Sequence, residues 1–101
     1  MSSGVQAQVN VPADTETIVY TVPTDYVGVY KITARNTSDA AKAIIQIWYT
    51  KTTTSDEKKE WVEQFERSFS VSGEVLDEGQ KIIVATSKAC VVTVKGIEEA
   101  V

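Results

Sequence analysis

Apolar and polar positions alternate through most of this chain. In "ETIVYTVPTDYVGVYKI" (Glu16 to Ile32), Ile18, Tyr20 and Val22 share one phase, and Thr17, Val19 and Thr21 take the other. Period two with β-branched and aromatic residues predicts a strand. Pro23 cannot donate to a ladder and ends it, and Thr24-Asp25 supplies turn chemistry. A second alternating run follows, with Tyr30, Ile32 and Ala34 on one face and Lys31, Thr33 and Arg35 on the other. Gly28 inside it marks a bulge or a close backbone approach.

The same grammar continues. "NTSDA" is a polar loop, and "AKAIIQIWYT" is a strand with Ala43, Ile45, Ile47 and Tyr49 in one phase. "KTTTSDEKKE" is a long polar connection. "VLDEGQKIIVATSKACVVTVKGI" reads as strand, turn, strand, turn, strand, with turns at Asp77-Glu78-Gly79 and Ser87-Lys88-Ala89. Val5, Ala7, Val9 and Val11 alternate before Pro12, so residues 1–12 form either an extended N-terminal arm or an extra strand. Residues 13–101 form a single domain. "EWVEQFERSFSV" fits two patterns. Trp61, Phe65 and Phe69 alternate, but Trp61, Val62, Phe65 and Phe69 also make a helical stripe, with Thr54 and Glu57 as its capping box. The neighbouring strands favour strand. Seven to eight short strands predict an all-β, antiparallel β-sandwich, jelly-roll or immunoglobulin-like. Consecutive strands are expected to pair, with longer loops crossing between sheets.

The alternating phase also marks candidate contact residues. If Ala43, Ile45, Ile47 and Tyr49 face the core, Ile44 and Trp48 face outward, and Val19 and Val29 do the same on their strands. A contiguous patch holding a tryptophan is a contact surface; cover by the long loop or the arm is the bland alternative. The predicted interface is Val5, Val9 and Val11 on the arm, with Ile44, Trp48 and Trp61. Removing residues 1–11 is expected to weaken assembly and leave the domain folded. Exposed rings at Trp48, Trp61, Tyr26 and Tyr49 would instead suit stacking on sugars.

Composition narrows the chemistry. The 101 residues include no histidine, so the commonest general base and metal ligand is missing. No serine sits in a nucleophile elbow, and Ser87-Lys88 reads as turn residues. The carboxylate pairs Asp14/Glu16, Asp56/Glu57, Asp77/Glu78 and Glu98/Glu99 fall in predicted loops or at the terminus, where solvated charge is the default. No loop has the spaced acidic pattern of a calcium site. These features predict no enzyme, no metal and no cofactor. A net charge of −4 argues against nucleic acid as partner. No apolar run is long enough to span a membrane. The N-terminal residues lack a secretory pattern, so cytoplasmic synthesis is expected. Cys90 lies in the apolar run "ACVVTV" and reads as a small hydrophobe.

Four segments carry a resemblance: Ala13 to Pro23, Ile32 to Ala40, Leu76 to Ile82, and Gly96 to Glu99. An Ala-Asp-Thr start with a Tyr-Thr-Val-Pro strand end, a polar Asn turn, a Leu-x-x-Gly-x-Lys-Ile turn and a Gly-Ile-Glu-Glu close resemble the small β-sandwich structural proteins of tailed-phage virions. The likeness spans about three quarters of the chain and is weaker from Thr50 to Ser72. It implies a virion location and a non-enzymatic role in capsid decoration or in the tail or fibre apparatus. It also implies other virion proteins as partners and a homo-oligomer, with a trimer expected. The alternative is a module binding glycan or a host surface.

Overall fold

A computed structural model describes residues 2–37, 42–51 and 59–100; the side chains of residues 2, 3, 59–61 and 63 lie outside that description. Eight strands follow one another: β1 (Ser2–Val11), β2 (Thr17–Thr21), β3 (Tyr26–Asn36), β4 (Ala43–Thr50), β5 (Lys59–Phe65), β6 (Ser68–Leu76), β7 (Lys81–Thr86) and β8 (Cys90–Ala100). They form two four-stranded antiparallel sheets, ordered β1-β8-β3-β6 and β2-β7-β4-β5. The fold is an all-β sandwich. Strand 1 pairs with 8, 2 with 7, 3 with 6 and 4 with 5. That is one long hairpin rolled so that successive rungs alternate between sheets, which is jelly-roll connectivity rather than immunoglobulin-like.

The rolling overturns the expected pairing of neighbours in sequence. Among the described strands only β4 and β5 are consecutive and paired; each other connection leads from a strand of one sheet to a strand of the other. Short turns suffice because the layers stand about 10 Å apart. At Val22–Tyr26 the chain crosses on Pro23 and on Asp25, whose φ of 68° lies in the left-handed region that aspartate tolerates. The Asp25 N–H donates to the Glu78 carboxylate. The Val22 N–H donates to the Gln80 carbonyl at 2.9 Å, and the Gly79 N–H returns a bond to the Val22 carbonyl at 3.0 Å. The crossing from β2 to β3 is thus clamped to the crossing from β6 to β7, as the 2·7 and 3·6 pairings require.

The ambiguous segment is strand on both sides of a bend at Glu66-Arg67, and its two halves belong to different sheets. Phe65 and Phe69 still meet across the sandwich, their ring centres 6.2 Å apart. The proposed capping residues Thr54 and Glu57 lie outside the described residues. The N-terminal segment is β1, in register with β8 from Ser2↔Glu98 to Val11↔Cys90. Val11 is buried in the core, and Ala7 and Val9 pack against it. Of the two alternatives for this segment it is therefore the extra strand, and its burial of Val11 argues against a domain that folds unchanged without it.

The inward phase is Tyr30, Ile32 and Ala34 on β3, Ala43, Ile45 and Ile47 on β4, Ile82 and Val84 on β7, and Cys90, Val92 and Val94 on β8. β2 departs from its expected phase. Its register with β7 slips between Ile18 and Tyr20, leaving Val19 as the extra residue of a bulge. One extra residue reverses the side-chain phase. Val19 is buried and Ile18 exposed, the reverse of the expectation from alternation.

Candidate interaction surface

The outer face of the β1-β8-β3-β6 sheet is built in rows by strand register. One row places Ile97 of β8, Val29 of β3 and Val75 of β6 side by side. All three are about half exposed or more: Val29 47%, Ile97 51% and Val75 68%. The next row holds Val5, Lys95 and Lys31, and the row on the other side holds Glu99 and Val27. A shallow depression of about 510 Å³ lies among Val27, Gly28, Val29, Val75, Ile97 and Glu99. The apolar row is thus bordered by cations on one side and an anion on the other.

The opposite outer face, on the β2-β7-β4-β5 sheet, is more broken. Ile44 and Val62 are exposed there, separated by Gln46 and Gln64. A depression of about 310 Å³ includes Asp14, Glu16, Ile44 and Ser87. The Ile44 N–H donates to Ser87 Oγ at 2.9 Å, and the Lys88 carbonyl accepts from Thr86 Oγ1 at 2.6 Å. Ser87 and Lys88 thus serve the turn, as their sequence setting suggests.

Of the six residues expected at an interface, the five whose side chains are described do not come together. Val5 and Ile44 are exposed, but on opposite faces of the sandwich. Val9 is half-buried against the core and Val11 is within it. The side chain of Trp61 lies outside the described residues. Trp48 corrects the expectation most clearly. It takes the outward phase beside Ile83, yet is 3% exposed. Alternation fixes the side of the sheet a residue takes, not whether that side meets water. A buried Trp48 offers no surface to a partner or a sugar ring.

Between the sheets lies a polar cluster that the pairing of Glu98 with Glu99 as solvated charge missed. Glu98 is buried, in phase with Cys90, Val92 and Val94. Its Oε2 accepts from the Tyr20 hydroxyl and, at 2.7 Å, from the Tyr30 hydroxyl. Tyr20 comes from one sheet and Tyr30 and Glu98 from the other, so the carboxyl ties the layers together. The two rings sit 5.7 Å apart, tilted by 55°. Burial, then hydrogen bonding to and the charge of Glu98, pushes both phenols well above their ordinary range. Both remain donors at neutral pH.

Two glycines make room for this cluster. Gly28 is the register partner of Glu98, and Gly96 that of Tyr30. A Cβ at Gly96 would lie 2.6 Å from the Val29 carbonyl oxygen and from Tyr30 Cδ1, so the Tyr30 ring lies against bare backbone. The signal was present in the sequence as glycines in the inward phase of two strands. Cys90 is buried, its thiol pushed up by desolvation, with Sγ donating to the Lys88 carbonyl at 3.3 Å.

Compared with known proteins, the chain matches no family model, and no curated protein is significantly similar to it.

Proposed function

We propose that this chain is a non-enzymatic structural protein of the tailed-phage virion type, held through protein–protein contacts on a capsid or within a tail or fibre apparatus. The observation that carries this reading is the open apolar row Ile97–Val29–Val75. Jelly rolls serve in viral capsids and in lectins alike, so the surface has to choose between the two. Sugar recognition by stacking needs exposed aromatic rings. The large exposed apolar residues among the described positions are all valine and isoleucine, which suit packing against another protein. The turn and strand-end sequences described above support the same reading. Partners would be other virion proteins and further copies of the chain.

Antibody raised against the purified chain, applied to particles from a culture carrying its gene, tests the reading. Labelling at one site on head or tail is expected. Recovery of the chain only in the supernatant after particles are sedimented would exclude it.

A further inference from the structure

We propose that the outer face of the β1-β8-β3-β6 sheet docks on the same face of a second copy of the chain. The two-fold axis runs along the Ile97–Val29–Val75 row. The proposal rests on the reading of this face as a contact surface and adds the partner and the geometry.

The charge pattern of the face points to a second copy as its occupant. On β8, Lys95 and Glu99 stand two residues either side of Ile97, all on the outer face and all exposed. On β3, Lys31 and Val27 stand two residues either side of Val29. Two sheets packed face to face by a two-fold must have its axis in the plane between them. An axis along the strands would set Lys95 over Lys95. An axis along the apolar row sets Lys95 of each copy over Glu99 of the other, twice by symmetry, with Ile97 over Ile97 at the centre. Self-complementarity of this kind is what an isologous interface demands. Lys31 and Lys95 are also direct register partners, and like charges directly opposite are destabilising. Neither is in an ion pair among the described residues. A partner's Glu99 would offset that repulsion.

Aligned sheets stack about 10 Å apart with their strands within roughly 30° of parallel, which keeps β8 over β8 near the axis. Overlap from the Lys95 row to the strand ends would bury on the order of 1,000 Å² in total. That lies at the low end of specific contacts, where weak and reversible association falls.

Sedimentation equilibrium of the full chain, up to about 200 µM at low salt, tests the pairing. A monomer–dimer equilibrium is expected, abolished by Val75→Lys while the thermal unfolding midpoint is held. Lys95→Glu alone and Glu99→Lys alone should each weaken the dimer by about ten-fold. The double variant Lys95→Glu/Glu99→Lys should bring the affinity back to within about three-fold of the parent. A monomer throughout the range, a trimer, or a dimer indifferent to both charge changes would overturn the proposal. A monomer that still labels particles would sink the pairing and leave the structural role standing. A charge-sensitive dimer absent from particles would do the reverse.

Discussion

Glu98 is the residue on which the interior turns. An isolated carboxyl between two apolar layers is unfavourable unless its oxygens are satisfied. Two phenols from opposite sheets do this for Oε2. Removing one donor by Tyr30→Phe should lower stability by about 1–3 kcal/mol at pH 7, read from urea unfolding. A pH dependence follows from the raised phenols. Protonated tyrosine is favoured in the folded state, so the stabilisation is complete below the unfolded value near 10 and is lost as pH rises through the folded values. Between pH 9 and pH 11, taken as about one unit either side of the unfolded value, the parent should lose more stability than Tyr20→Phe/Tyr30→Phe. Equal losses would mean that lysine titration dominates instead. The period-two phase of β8 groups Glu98 with Cys90, Val92 and Val94, but its place beside Glu99 near the terminus read as solvated charge. Its two partners were not legible at all, because they lie 78 and 68 residues away in the chain.

Among the elements, β1 shows how alternation and burial separate. Val5 and Val11 belong to the same strand and match equally well as apolar positions. The bulge at Gln6 and the pairing with β8 send Val11 into the core and leave Val5 in solvent. Val11→Ala should therefore cost about 2 kcal/mol, while Val5→Ala stays within about 0.5. A chain beginning at Pro12 would expose the β8 edge and uncover the core beneath Val11. We expect it to show no cooperative urea transition by circular dichroism. A sharp transition near that of the full chain would return β1 to the status of an arm. β2 makes the same point through Val19. The run Thr17–Thr21 announced a strand, but one unpaired residue decided which side chains it buried.

For the whole molecule, the decisive fact is that the first strand pairs with the last. The chain must close its longest loop before β1 and β8 gain anything from each other, and three of the four rungs of the rolled hairpin join segments distant in sequence. Folding should accordingly take milliseconds to seconds at 25 °C, as in other sheet-rich domains of this size. Stopped-flow tryptophan fluorescence would measure it, with Trp48 as a buried reporter. Refolding in about 10 µs would contradict a mechanism limited by long-range pairing. The same topology leaves two outer sheet faces. Among the described residues, the β1-β8-β3-β6 face is the one that carries exposed aliphatic residues as a continuous row across three strands, while Ile18, Ile44 and Val62 lie apart on the other.

The sequence by itself determined where most strands begin and end, though not the break at Glu66-Arg67, because period-two alternation and turn chemistry act over two to four residues. The stops at Pro23 and Gly79, the inward run on β3 and the predominance of strand over helix all follow from that short range. Tertiary structure alone decided which strands pair, that successive rungs change sheets, and which of two outward tryptophan and valine positions meets solvent. It also decided that Glu98 is buried between Tyr20 and Tyr30. These outcomes depend on contacts between residues dozens of positions apart, and on single-residue bulges whose effect on phase appears only once a partner strand fixes the register.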